Sequence, residues 1–152
     1  MRCALAMLVV AAVGAVAHAQ EKKENPPTRY DVVGDAETYP QGSPKETLTS
    51  IAKAIERERI DYLLAHLSDP QFVDAKVKDL GKFRDLVDAV KMQFNDDAKR
   101  QREFLRLLKE GNIDASGSEA KVTLKDIPGR QIVLKQDGKR WFLDNNDVAP
   151  KK

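Results

Sequence analysis

His66 is the side chain between Gln20 and Lys152 best suited to move a proton near neutral pH. It stands in Leu64-Ala65-His66-Leu67, with Asp61 and Asp69 close by in sequence. A general base needs an imidazole within reach of its substrate and a carboxylate to orient it, and either aspartate could supply that. The competing reading is a surface or boundary histidine on a short helix. Asp61 lies five residues away on a helix, and no second convergent group is evident. Metal chemistry is thinner. Asp96-Asp97 and Asp144-Asn145-Asn146-Asp147 lack the glycine and distal glutamate of a calcium loop. They read as a helix cap and a solvated chain end, and neither a metal nor a cofactor is expected. No G-x-x-x-x-G-K-S/T, G-x-G-x-x-G or G-x-S-x-G occurs, so a phosphate cradle, a dinucleotide site and a serine elbow are all unsupported.

Two further patterns could recognise a partner. Lys99, Arg102, Arg106 and Lys109 share one helical face, which could grip an anionic surface. Asp96, Glu103 and Glu110 sit at pairing distance along the same helix, so a salt-bridged, solvated face is the expected state. Trp141 and Phe142 are neighbours on one strand and point to opposite faces of it. One belongs in the core, and the exposed one is the candidate ligand or partner contact.

These residues must be positioned by elements with legible signals. Ser43-Pro44-Lys45-Glu46 opens a helix: Ser43 as N-cap, Pro44 in the first turn and Glu46 completing a capping box. Leu48, Ile51, Ala52 and Ile55 form its apolar stripe. Glu56-Arg57-Glu58-Arg59 interrupts it, and Asp61 is placed to cap a second helix that ends at Ser68-Asp69-Pro70. Gln71 to Val77 reads as a strand or an irregular connection. A long helical pattern covers Lys82 to Glu110, with a kink or break at Asn95-Asp96-Asp97. Beyond Gly111-Asn112 the period changes to two, with strands over Glu119 to Lys125, Arg130 to Gln136 and Arg140 to Asp144, and a short one over Ile113 to Ala115. Pro128-Gly129 and Asp137-Gly138 mark the turns. Helices first and a β-meander afterwards predict an α+β domain, its N-terminal helices packed on a curled antiparallel sheet.

The chain opens with a secretory signal pattern. Arg2 is followed by an uncharged apolar run, Cys3 to Ala17, and then by Ala17-His18-Ala19. The run is shorter than the about 20 apolar residues of a membrane span. It fits cleavage between Ala19 and Gln20. Cys3 precedes the apolar run, so it is not placed as a lipid attachment site. Cleavage would remove the chain's single cysteine and leave no disulfide or thiolate chemistry. Without Arg2, 25 Lys and Arg face 24 Asp and Glu, which gives no overall field for nucleic acid. The expected organisation is a signal over 1–19, a flexible polar linker over 20–42, in which Tyr30-Asp31-Val32-Val33 could instead add an edge strand or dock on the domain, one α+β domain over 43–147 and a tail over 148–152.

The segments Ser43-Pro44-Lys45-Glu46-Thr47-Leu48, Ala54-Ile55-Glu56-Arg57-Glu58-Arg59-Ile60-Asp61-Tyr62-Leu63-Leu64 and Asp137-Gly138-Lys139-Arg140-Trp141-Phe142-Leu143-Asp144 resemble the opening helix pair and closing D-G-x-x-W-x-x-D strand of the NTF2-like superfamily. That superfamily includes SnoaL-type and many secreted domains. The resemblance covers roughly Ser43 to Asp147 and implies a cone-shaped α+β fold with a pocket, used for catalysis in some members and for binding or assembly in others. The expected function is therefore an exported (periplasmic or extracellular), non-catalytic module that binds a small ligand or a protein. Nucleic-acid binding and stable membrane insertion after cleavage are not expected, and a homodimer could form through the sheet. The alternative is a cofactor-independent SnoaL-type enzyme with His66 as base in the cone pocket.

Overall fold

In a computed structural model, residues 24–145 are described. The signal pattern, the Ala19-Gln20 cleavage point and the tail beyond Asn145 lie outside them. Helix α1, Pro44–Glu56, starts as its sequence dictates: the Ser43 hydroxyl accepts a hydrogen bond from the Glu46 amide at 3.2 Å, with Pro44 in the first turn. Leu48, Ile51, Ala52, Ala54 and Ile55 are buried. The helix closes in a Schellman motif, in which the Glu58 amide donates to Ile55 and the Arg59 amide to Ala54. Glu58 takes the left-handed position, φ 56°, where glycine is the usual residue.

Helix α2, Ile60–Tyr62, runs straight into a five-residue π-helical segment, Leu63–Leu67. Asp61 is not the cap expected of it. It sits inside the first turn and holds the Arg59 guanidinium through two bonds of 2.9 Å, which keep its carboxyl below the usual carboxylate range. Helix α3, Pro70–Leu80, replaces the strand or irregular connection expected over Gln71 to Val77. Ser68-Asp69-Pro70 ends one helix and also begins the next: Asp69 caps the Gln71 amide at 2.9 Å, and Gly81 stops the helix at φ 89°. Only Val73 of α3 is buried, so its apolar period is faint. The long helical pattern resolves into α4, Phe83–Asp96, and α5, Ala98–Glu110. Asp97 breaks it by turning its carboxylate onto the Arg100 amide at 2.8 Å.

The C-terminal third forms one antiparallel sheet in the order β1-β2-β3-β4, made of Asn112–Ser116, Glu119–Thr123, Gln131–Asp137 and Arg140–Leu143. The five helices pack on this open sheet, so the domain is α+β. Ala120, Val122, Ile132, Leu134 and Trp141 carry the sheet's side of the core. Asp137 pairs with Arg140, so the last turn holds Gly138-Lys139 rather than Asp137-Gly138. Gly138 takes φ 59° there, the glycine-first arrangement of a tight hairpin. Gly111 joins α5 to β1 where a β-carbon would come within 2.3 Å of Val122 and 2.4 Å of the Leu107 carbonyl, a space only glycine fits.

Residues 24–42, expected as a flexible linker, are seated on the domain. Docking was one of the two alternatives to it for Tyr30 to Val33. Val32, Tyr39 and Gln41 are buried. Tyr39 stacks on Tyr62 at 4.2 Å and Tyr30 on Phe83 at 4.4 Å. The two outer edges of the sheet end differently. Gln41 exchanges bonds with the main chain of Trp141 on β4, and the Asp69 amide donates to Leu143. Every residue of β1 is exposed.

Candidate functional site

The five-residue π segment departs from regular α-helical geometry, and such segments concentrate at functional sites. The Ser68 amide donates to the Leu63 carbonyl at 2.9 Å, closing the wide turn. The carbonyls left over at its end are met by two guanidinium groups. Arg29 donates to Ala65 at 3.1 Å and Arg140 to His66 at 3.0 Å. Cations suit a helix C-terminus because the last carbonyls are unpaired and carry partial negative charge. Arg29 is also fixed by the Pro70 carbonyl and by Asp74, which also accepts from the Tyr30 hydroxyl. Arg140 has Gln41 Oε1 at 2.6 Å and lies 4.8 Å over the Phe142 ring. Burial pulls its guanidinium below the usual arginine value.

His66 sits inside this framework. It is buried, its Nε2 lies 2.9 Å from the Val32 carbonyl, and its ring centroid is 4.8 Å from that of Tyr62. Burial pushes the imidazole below its ordinary value, and the neighbouring Arg140 and Arg29 push the same way. A neutral ring with Nε2–H donating to Val32 satisfies the contact. Its observed work is to anchor the N-terminal stretch.

Trp141 and Phe142 do alternate across β4, yet neither is exposed. Trp141 belongs to the core, and Phe142 is covered on the opposite face beneath Arg140. The expectation that one of them is a surface contact is corrected by Arg140, whose folded-back side chain covers the strand's outer face. The basic stripe is compensated: Lys99 meets Glu103, Arg106 meets Glu110 and Asp126, and Lys109 meets Glu56. Asp97 caps α5, and Asp144 pairs with Lys135 at 2.7 Å. Among the described residues, no three metal-ligating side chains converge.

A cleft of about 640 Å³ lies between the α4–α5 hairpin, the π segment and the near end of β3 and β4. Leu63, Leu64, Phe72, Phe94, Phe104 and Leu143 give it apolar walls. Phe94 and Phe104 meet edge to face at 6.2 Å. Its polar lining includes Ser68, Asp97, Arg100, Arg130 and Asp144. Arg130 is paired with Glu103 at 3.0 Å. The Arg100 guanidinium has no ion pair or hydrogen bond among the described residues.

Ser68 is the residue the sequence reading missed. It is 1% exposed, and its hydroxyl has no hydrogen-bond partner among the described residues. A lone buried hydroxyl costs about 1–3 kcal/mol, and a serine at a helix end ordinarily spends its hydroxyl on a nearby backbone group. In Ser68-Asp69-Pro70 the capping is done by Asp69, which leaves Ser68 unused. Nothing in the local sequence marks it out.

Comparison with protein-family models, with curated proteins and with solved structures finds no match.

Proposed function

We propose that the chain is an exported binding module that holds a small, largely apolar molecule in the cleft between the α4–α5 hairpin and the sheet. The observation that carries this is the cleft itself. Its volume lies within the about 300–1,000 Å³ of small-molecule sites, and apolar walls with a few polar groups are the usual composition of such sites. A scaffold of helices on an open sheet also suits the NTF2-like reading, in which the hollow beside the sheet is the working surface. His66 favours binding over proton transfer, because its ring faces the Val32 carbonyl and stands away from the cleft.

A neutral hydrophobic dye such as Nile red tests the reading. Its fluorescence is expected to rise on mixing with the protein. Gln101→Trp, which places an indole in the cleft from the half-buried wall of α5, is expected to abolish the rise while leaving the melting temperature within about 2 °C. Dye binding unaffected by that substitution would place the site elsewhere and end the proposal.

A further inference from the structure

We infer that the ligand of this cleft is an apolar molecule carrying both a neutral hydrogen-bonding group and an anionic group, held by Ser68 and Arg100 respectively. The inference rests on the cleft-binding reading and goes beyond it by assigning the ligand's chemistry.

The neutral group is set by Ser68. Its hydroxyl is shut off from solvent at the cleft wall and unpartnered, so it offers one donor and its lone pairs. The polar groups around it are already committed: the Ser68 amide donates to the Leu63 carbonyl, the Asp69 amide to the Leu143 carbonyl, and the Asp69 carboxylate accepts from the Gln71 amide. The group that meets Ser68 must be neutral. An anion taken out of water needs a cation beside it, and the two arginines nearest the π segment are spent on the Ala65 and His66 carbonyls.

The anionic group is set by charge. Arg100 is exposed at the first turn of α5 and lines the cleft; its guanidinium makes no hydrogen bond or ion pair among the described residues, and its charge acts on the nearby Asp97 carboxylate. The other charges on the lining are satisfied: Arg130 by Glu103, Asp144 by Lys135 and the Asp97 carboxylate by the Arg100 amide. A carboxylate meeting Arg100 adds a charge-assisted bond of the kind that planar guanidinium groups make well. Phe72, Phe94 and Phe104 line the same cleft with aromatic surface, which suits a hydrocarbon body. An ω-hydroxy carboxylic acid has this chemistry.

The test displaces Nile red from the protein with ω-hydroxyoctanoate, ω-hydroxydecanoate and ω-hydroxydodecanoate. The best of them is then compared with the plain carboxylate and the plain alcohol of the same length. The hydroxy acid is expected to bind about tenfold more tightly than either. Ser68→Ala is expected to erase its advantage over the carboxylate without changing the carboxylate's own affinity. Arg100→Gln is expected to erase its advantage over the alcohol without changing the alcohol's. Ser68→Ala removes a hydroxyl that bonds to nothing, so it should fold as well as the parent. Equal affinity for all three ligands, or variants that weaken all three alike, would overturn this assignment while dye binding upheld the cleft. Failure to take up the dye at all would overturn both.

Discussion

The π segment Leu63–Leu67 and the α4–α5 hairpin face each other across one cleft and are held in opposite ways. All five residues of the π segment are buried, and its terminal carbonyls are clamped by Arg29 and Arg140. The hairpin buries only Leu86 and Val87 from α4 and Leu107 and Leu108 from α5. Its far end, with Phe94, Asp97 and Phe104, stands over the cleft half-covered or exposed. One wall is thus fixed by packing and hydrogen bonds, and the other by a thin apolar stripe and surface ion pairs, each worth about 1 kcal/mol or less. Stability concentrates where apolar contact is dense, and binding surfaces are drawn from the less stable end of a fold.

The widest test of that contrast pairs a truncation on each wall. Leu67→Ala empties a fully buried site and is expected to cost about 3 kcal/mol. Phe94→Ala removes a half-exposed ring and its edge-to-face contact with Phe104, at a cost of about 1 kcal/mol. Urea unfolding measures both, and equal costs would erase the distinction between the walls.

A smaller effect sharpens the buried side. Burial holds the His66 imidazole below its ordinary value of 6.5, with Arg140 and Arg29 adding to the shift and the Val32 carbonyl and Asp61 opposing it. The unfolded chain therefore takes up the proton first as pH falls. Stability contributed by the neutral ring is complete above the unfolded value and declines as pH drops through about 6.5 toward the lowered folded value. His66→Gln keeps a donor for Val32 and is expected to flatten that decline between about pH 7 and pH 5. The same slope in variant and parent would mean that His66 does not set it.

The smallest effect lies at the end of α1, before the π segment begins. Glu58 is exposed in the left-handed conformation at the Schellman position. Glu58→Gly is expected to raise stability by about 0.5–1 kcal/mol, read as a higher melting temperature. A loss instead would show that the Glu58 side chain supports the turn.

Much of the frame could be read from local pattern. Ser43-Pro44 starts α1, Asp97 divides the long helix, and alternation in Glu119–Thr123 and Gln131–Asp137 marks β2 and β3. Helix α3 escaped because it buries one residue, and burial is what makes a period visible. The docking of residues 24–42 as a whole, beyond the alternative open for Tyr30 to Val33, escaped for a related reason. Its anchors, Arg29, Tyr30, Val32, Tyr39 and Gln41, follow no period, and each finds its partner far along the chain.

By itself the sequence determined the α+β class, the order of its elements and the absence of nucleotide and serine-elbow motifs, since caps, turns and periods are encoded by neighbours. Tertiary structure alone decided that His66 is an anchor, that Arg140 covers Phe142 and that Ser68 is left with an unused hydroxyl beside a cleft. Those are statements about which distant groups meet and which do not. A hydroxyl's lack of a partner is legible only once every other element has taken its place.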